Sequence, residues 1–117
     1  FADRLKRMIN AAGHKVWPVE VETMMYRHPS IRECCVVGTP DPRRGETVKA
    51  FIVLHPDSGP VDPDSIVKWA AANMAAYKVP RRIEFVAELP RGATGKIDWR
   101  TLQERENATA PADHPPR

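Results

Sequence analysis

Lys96 is the residue of this chain best placed to do chemistry. It closes the run Leu89-Pro90-Arg91-Gly92-Ala93-Thr94-Gly95-Lys96. Glycine accepts backbone conformations that other residues resist, so the loop can be tight while the lysine reaches outward. A long cation on such a loop can swing onto an anion and withdraw. Asp98 just beyond suits the N-cap of a short helix beginning near Trp99. The phosphate-binding loop is excluded, because its pattern needs a glycine five residues before Gly95 and Ser or Thr after the lysine. Those places hold Pro90 and Ile97. A lone Gly-Lys pair is more often a solvated surface feature, so the neighbouring motifs decide.

Two other stretches could meet a ligand. Ala11-Ala12-Gly13 presents almost no side chain, which lets backbone approach a narrow molecule closely. The same residues also suit a plain hairpin turn. Arg44 lies in Asp41-Pro42-Arg43-Arg44-Gly45-Glu46, and its planar fork suits a phosphate. An Arg44–Glu46 surface pair or a structural turn is the competing reading. His14, His28, His55 and His114 are scattered without ligand spacing, so no metal site is expected. Trp17, Trp69, Trp99 and the Met24-Met25 pair are read as packing residues.

These residues need elements to hold them. Residues 4 to 9 and 14 to 17 are expected to form a hairpin around Ala11-Ala12-Gly13. Pro18 opens a helix, where its missing N–H costs nothing. Glu20 and Glu22 sit near the positive end of that helix dipole. Val21, Met24, Met25 and His28 repeat at helical spacing and face inward. Ile31 to Gly38 and Thr47 to His55 are the clearest strands, rich in Val, Ile, Cys and Phe. The connection Thr39 to Gly45 is too long and proline-rich for a tight hairpin. Asp62-Pro63 starts a second helix with Ile66, Trp69, Ala70, Asn73 and Met74 on one face. Arg82 to Val86 reads as a third strand, and a last helix runs from about Trp99 to Arg105. The fold class is α+β: an N-terminal β-hairpin plus a roughly three-stranded sheet, with about three helices packed on it.

Composition sets the bounds. The 117 residues make one domain over 1–106, with a tail, 107–117, whose Ala, Pro and polar content predicts disorder. The hydrophobic share of 42% supports a modest core. Net charge is +3, and the basic residues are spread out beside acids, so no nucleic-acid surface is expected. No apolar run approaches the ~20 residues of a membrane span. Adjacent Cys34 and Cys35 point to opposite faces of a strand and do not suit a bridge. With no visible signal peptide, this fits a reducing cytoplasm. The opening Phe1-Ala2-Asp3-Arg4 reads as the middle of an element, so a longer protein is expected around it; a processed mature chain is the alternative.

Five motifs in order carry a resemblance. They are Asp3-Arg4-Leu5-Lys6-Arg7-Met8-Ile9-Asn10, Gly13-His14-Lys15-Val16-Trp17-Pro18-Val19-Glu20-Val21-Glu22, Pro40 to Glu46, Tyr77-Lys78-Val79-Pro80 and Thr94-Gly95-Lys96. With this spacing, residues 1 to about 105 resemble the small C-terminal domain of adenylate-forming enzymes, most of all the fatty acyl-CoA synthetases. The resemblance implies an AMP-forming acid–thiol ligase of fatty acid metabolism, using ATP, Mg²⁺ and coenzyme A. The large N-terminal domain would be this domain's partner, hold ATP and Mg²⁺, and choose the medium- or long-chain fatty acid.

The resemblance also implies roles. Lys96 is the lysine of the adenylation step, and Arg4 reaches toward the nucleotide. Lys6 is the hinge about which the domain rotates. Gly13 lines the pantetheine tunnel with Ala12, His14 and Lys15 as coenzyme A neighbours, and Arg44 contacts coenzyme A. One departure stands out: some relatives carry a basic coenzyme A-binding residue in the second helix, where this chain has Ala71, leaving Lys68 or Lys78 to compensate. The isolated domain is expected to have negligible activity. The alternatives are an adenylation domain that loads a carrier protein, and a stand-alone, non-catalytic α+β binding module.

Overall fold

A computed structural model of the chain describes residues 7–109. Strands β1 (Ile9–Ala11) and β2 (His14–Val16) form the expected hairpin, with Ala11 inside β1 rather than in the turn, which narrows to Ala12-Gly13. Arg7 and Met8 are not in a strand. Helix α1 (Pro18–Met25) opens on Pro18, as anticipated. Then come two long strands, β3 (Ile31–Asp41) and β4 (Gly45–Leu54). Helix α2 (Pro63–Asn73) is capped by the Asp62 carboxylate, which accepts from the Asp64 amide at 2.9 Å. Strand β5 (Arg82–Phe85) and helix α3 (Trp99–Thr109) complete the fold. Helix α3 continues to Thr109, past the expected Arg105 end.

The described strands form one mixed, five-stranded sheet. The full length of β3 pairs antiparallel with β4. On its other side β4 meets β1 at its start, Ala11 opposite Gly45, and β5 further along in parallel register, Lys49 to Ile52 opposite Arg82 to Phe85. The expected hairpin and the expected three strands are thus joined in one sheet.

Side-chain alternation divides the core in two. Cys34, Val36, Val48, Ala50 and Ile52 face α1 and α2, joined by Val21, Met25, Ile66 and Ala70. Cys35, Val37, Phe51 and Val53 face the other way, under Leu89 and Leu102. Helices therefore cover both faces. Both cysteines are free and buried on opposite sides. Met25 is core, and Trp69 and Trp99 pack against the two clusters. Asn73 was expected on the inward face of α2 but is exposed, with its Nδ2 donating to the Trp69 carbonyl at 2.8 Å.

The connection between β3 and β4 corrects the sequence reading. It is a tight turn, with Asp41 opposite Gly45 and only three residues between. The Asp41 carboxylate accepts from the amides of Arg43 at 2.8 Å and Arg44 at 2.9 Å. Gly45 takes φ +80°, the left-handed geometry that closes such a turn. Pro40 fits inside β3 because β3 is an edge strand. Its outward-facing backbone groups at residues 34, 36 and 38 bond to side chains instead of a neighbour strand. Tyr26 Oη accepts from Cys34 N at 3.1 Å. Glu22 accepts from Val36 N at 2.8 Å, while Arg7 donates to Val36 O at 3.0 Å. Gln103 takes both the amide and the carbonyl of Gly38, at 3.1 and 2.6 Å. Residue 40 continues this outward series, so a missing N–H there removes no ladder bond.

Candidate functional site

The residues singled out in the sequence fall into two places, at opposite ends of the β3–β4 hairpin. From Glu33 to Asp41 the strand advances eight residue steps, about 26 Å at ~3.3 Å per residue. Lys96 belongs to the Glu33 end. Ala12, Gly13, His14, Lys15 and Arg44 gather at the Asp41 end. Arg4 and Lys6 lie outside the described residues.

Lys96 sits on a loop bracketed by buried Leu89 and half-buried Ile97. Across it, Arg91 bridges Ile97, and the Asp98 amide donates to Pro90 O at 2.8 Å. Inside it, Gly92 N donates to Lys96 O at 2.9 Å and Gly95 N to Gly92 O at 3.0 Å. Gly95 has φ +84°, which other residues resist. The Lys96 backbone is therefore fixed, while its side chain is exposed and bonds to no described residue. A groove of about 330 Å³ lies beside it, lined in part by Thr94, Asp98 and Trp99. Asp98 caps α3 as expected. The Thr101 hydroxyl donates to it at 2.7 Å and the Thr101 amide at 3.2 Å, and these bonds hold its carboxyl below the usual range.

At the other end, two hairpin tips are joined through backbone. Ala12 N donates to Arg44 O at 2.9 Å, beside the Ala11–Gly45 pairing. Ala12 and Gly13 both take positive φ, +54° and +89°, as the favoured two-residue hairpin turn requires. Asn10 Oδ1 accepts from Gly13 N at 3.1 Å. Nothing lies within 4 Å of where a Gly13 Cβ would stand, so the turn presents bare backbone to the outside. Glu46 Oε1 accepts from the Asn10 amide at 2.8 Å, which ties β1 to β4. Arg44 is half-buried, with an Nε that finds no described partner.

The Tyr77 ring stacks on His14 with centroids 4.5 Å apart, a contact that its sequence motif does not announce. Lys78 follows it and lies 3.6 Å from Glu20. Of Lys68 and Lys78, it is Lys78 that stands beside the hairpin. Among the described residues no group of three or more His, Cys, Asp or Glu could hold a metal ion.

The chain as a whole has counterparts among known proteins. The family model described as the AMP-binding enzyme C-terminal domain matches residues 20–96. The chain belongs to that family. Human mitochondrial acyl-coenzyme A synthetase ACSM1 is 46% identical over 110 residues, 91% of this chain and 19% of that protein. The long-chain-fatty-acid–CoA ligase of Bacillus subtilis is 47% identical over 105 residues, 90% of this chain and 19% of that one.

Solved structures agree with this membership of the AMP-binding enzyme C-terminal domain family. The fatty acyl CoA synthetase of Mycobacterium tuberculosis superposes with a TM-score of 0.81 at 36% identity, covering 91% of this chain and 21% of that chain. The anthranilate CoA ligase AuaEII, in complex with anthranoyl-AMP, gives 0.83 at 42% identity, covering 92% and 21%. The chain thus spans about a fifth of the length of these relatives. The α+β fold is that of the family's C-terminal domain. No described helix is long and apolar enough to cross a membrane.

Proposed function

We propose that this domain is the mobile C-terminal part of an ATP-dependent, AMP-forming fatty acid–CoA ligase of the cytoplasm, and that its two ends serve two successive reactions. In the first, a fatty carboxylate attacks the α-phosphate of ATP to give acyl-AMP and pyrophosphate. Negative charge builds around that phosphorus, and a cation placed there stabilises the transition state more than the ground state. Lys96 is that cation, and Arg4 approaches the nucleotide with it. In the second, the coenzyme A thiol attacks the acyl carbon and AMP leaves. Here the Ala12-Gly13 turn lines the path of the pantetheine arm, with His14, Lys15 and Arg44 around it. Lys6 is the hinge that exchanges one end for the other. The large N-terminal domain supplies the ATP, Mg²⁺ and acyl sites, so the isolated domain has negligible activity.

One observation carries the reading: the Lys96 side chain is exposed and bonds to no described residue, on a loop whose backbone is held on both sides. A structural lysine would have a carboxylate or carbonyl of its own domain. The test is Lys96→Ala in the complete enzyme. Pyrophosphate release is expected to fall on the order of 10²-fold or more. Thioester formation from supplied acyl-AMP should be nearly unchanged. Equal losses in both half-reactions would sink the assignment.

A further inference from the structure

We propose that Arg91 is a positioning residue for Lys96, acting through a clamp that ties the lysine loop to Glu33 of the sheet; the inference rests on the adenylation role given to Lys96 above. The Arg91 guanidinium points two ways. Its Nη1 donates to the carbonyl of Gly95, the residue just before Lys96, at 2.9 Å. Its Nη2 donates to Glu33 Oε2 at 2.5 Å. Glu33 belongs to β3, the long strand of the central hairpin, beside the register shift between Ile31 and Glu33. It shares a strand face with Cys35 and Val37, the face on which Leu89 packs. One side chain therefore fastens the carbonyl preceding Lys96 to the sheet.

The loop's own backbone bonds do not do this. Gly92 N to Lys96 O and Gly95 N to Gly92 O both close within the loop. They fix its shape, and Leu89 and Ile97 anchor its two ends in the core, but neither bond ties the Gly92–Lys96 span itself to the sheet. Gly92 and Gly95 also make the segment easy to reorient. The two contacts of Arg91 have different chemistry: Glu33 requires a cation, whereas the Gly95 carbonyl requires only a donor. A surface ion pair with no further role would need the first contact alone.

That difference makes the clamp testable. In the complete enzyme, Arg91→Met should slow acyl-AMP formation roughly 10- to 100-fold, the scale expected when a catalytic group is misplaced by about 1 Å. The loss should fall on kcat, with KM for ATP and acid little changed, and thioester formation from supplied acyl-AMP should be unaffected. The exchanged pair, Arg91→Glu with Glu33→Arg, restores opposite charges but leaves no donor at position 91 for the Gly95 carbonyl. It should stay as slow as Arg91→Met.

Normal adenylation by Arg91→Met, or recovery in the exchanged pair, would overturn the clamp if Lys96→Ala is crippled in the same assay. A second readout does not depend on activity. In the 117-residue chain, amide exchange at Gly92 and Gly95 should quicken about tenfold in Arg91→Met, with β3 and β4 amides unchanged. Unchanged exchange at both glycines would refute the clamp even if Lys96→Ala adenylated normally and the functional reading itself had failed.

Discussion

The two ends of the β3–β4 hairpin are built on opposite principles. At the Glu33 end the exposed Lys96 stands on a thin loop, held by the loop's own backbone bonds and by the Arg91–Glu33 tie. At the Asp41 end two turns are joined through backbone, and the surface offered is the backbone itself, at Ala12 and Gly13. The first end suits electrostatics, where one cation must reach a developing charge. The second suits shape, where a slender chain must pass without meeting a side chain. Between them the hairpin is a bar filled on both faces. A protein that separates two tasks by ~26 Å of strand cannot present both to one small substrate at once, which is why a rotation is part of the proposal.

The largest effect that could break this contrast is the hundredfold adenylation loss expected of Lys96→Ala. Next comes Gly13→Leu. Open space surrounds the new side chain, so the domain should still fold, at a cost of about 1–2 kcal/mol for a side chain held at positive φ. Acyl-CoA appearance should drop roughly tenfold or more, while pyrophosphate release holds. Wild-type acyl-CoA formation in this variant would reduce the hairpin to scaffold.

The bar itself can be weakened. Lys49 Nζ donates to Glu106 at 2.7 Å and to Glu84 at 2.9 Å, tying β4 to α3 and β5. Lys49→Met should cost about 2 kcal/mol, the scale of hydrogen bonds to charged groups, read as a lower denaturation midpoint. Both half-reactions should survive in equal measure. Burial alone would lower the Lys49 pKa, but the bonds to Glu106 and Glu84 outweigh it and the net shift is upward. Its contribution to stability is therefore complete below the ordinary 10.5 and is lost as pH climbs through the raised folded value. Unequal loss of the two half-reactions in Lys49→Met would mean that the centre is not a neutral spacer.

The smallest effect concerns the thiols. Burial first, and the nearby Glu22 carboxylate second, raise both, with Cys35 pushed up to about 12 and Cys34 higher still. Neither should react with a thiol reagent at pH 8 until the chain unfolds. Rapid labelling of the folded chain would show that the sheet opens readily.

Much of this was legible in the sequence because local signals agreed with the fold. Pro18 and Asp62-Pro63 set two helix starts, Asp98 set the third, and the Val/Ile/Cys runs set β3 and β4. The Thr39–Gly45 connection was misread because two prolines argue against a hairpin unless the strand is known to lie at an edge. That fact depends on Tyr26, Glu22 and Gln103 reaching across from other elements, and Gln103 is 65 residues from Gly38. The lysine loop was recognisable from its glycines, but its Arg91–Glu33 tie spans 58 residues and leaves no local trace. The stacking of His14 on Tyr77 is equally non-local. Position in space, not residue type, was the missing information.

The central claim is that the two ends serve different half-reactions. Its most direct test is one single-turnover experiment on Lys96→Ala and Gly13→Leu in the same complete enzyme, following pyrophosphate release and acyl-CoA appearance separately. The account predicts a crossed result. Lys96→Ala loses acyl-AMP formation but converts supplied acyl-AMP to thioester, whereas Gly13→Leu makes acyl-AMP and stalls before the thioester. Loss of the same half-reaction in both variants would contradict it.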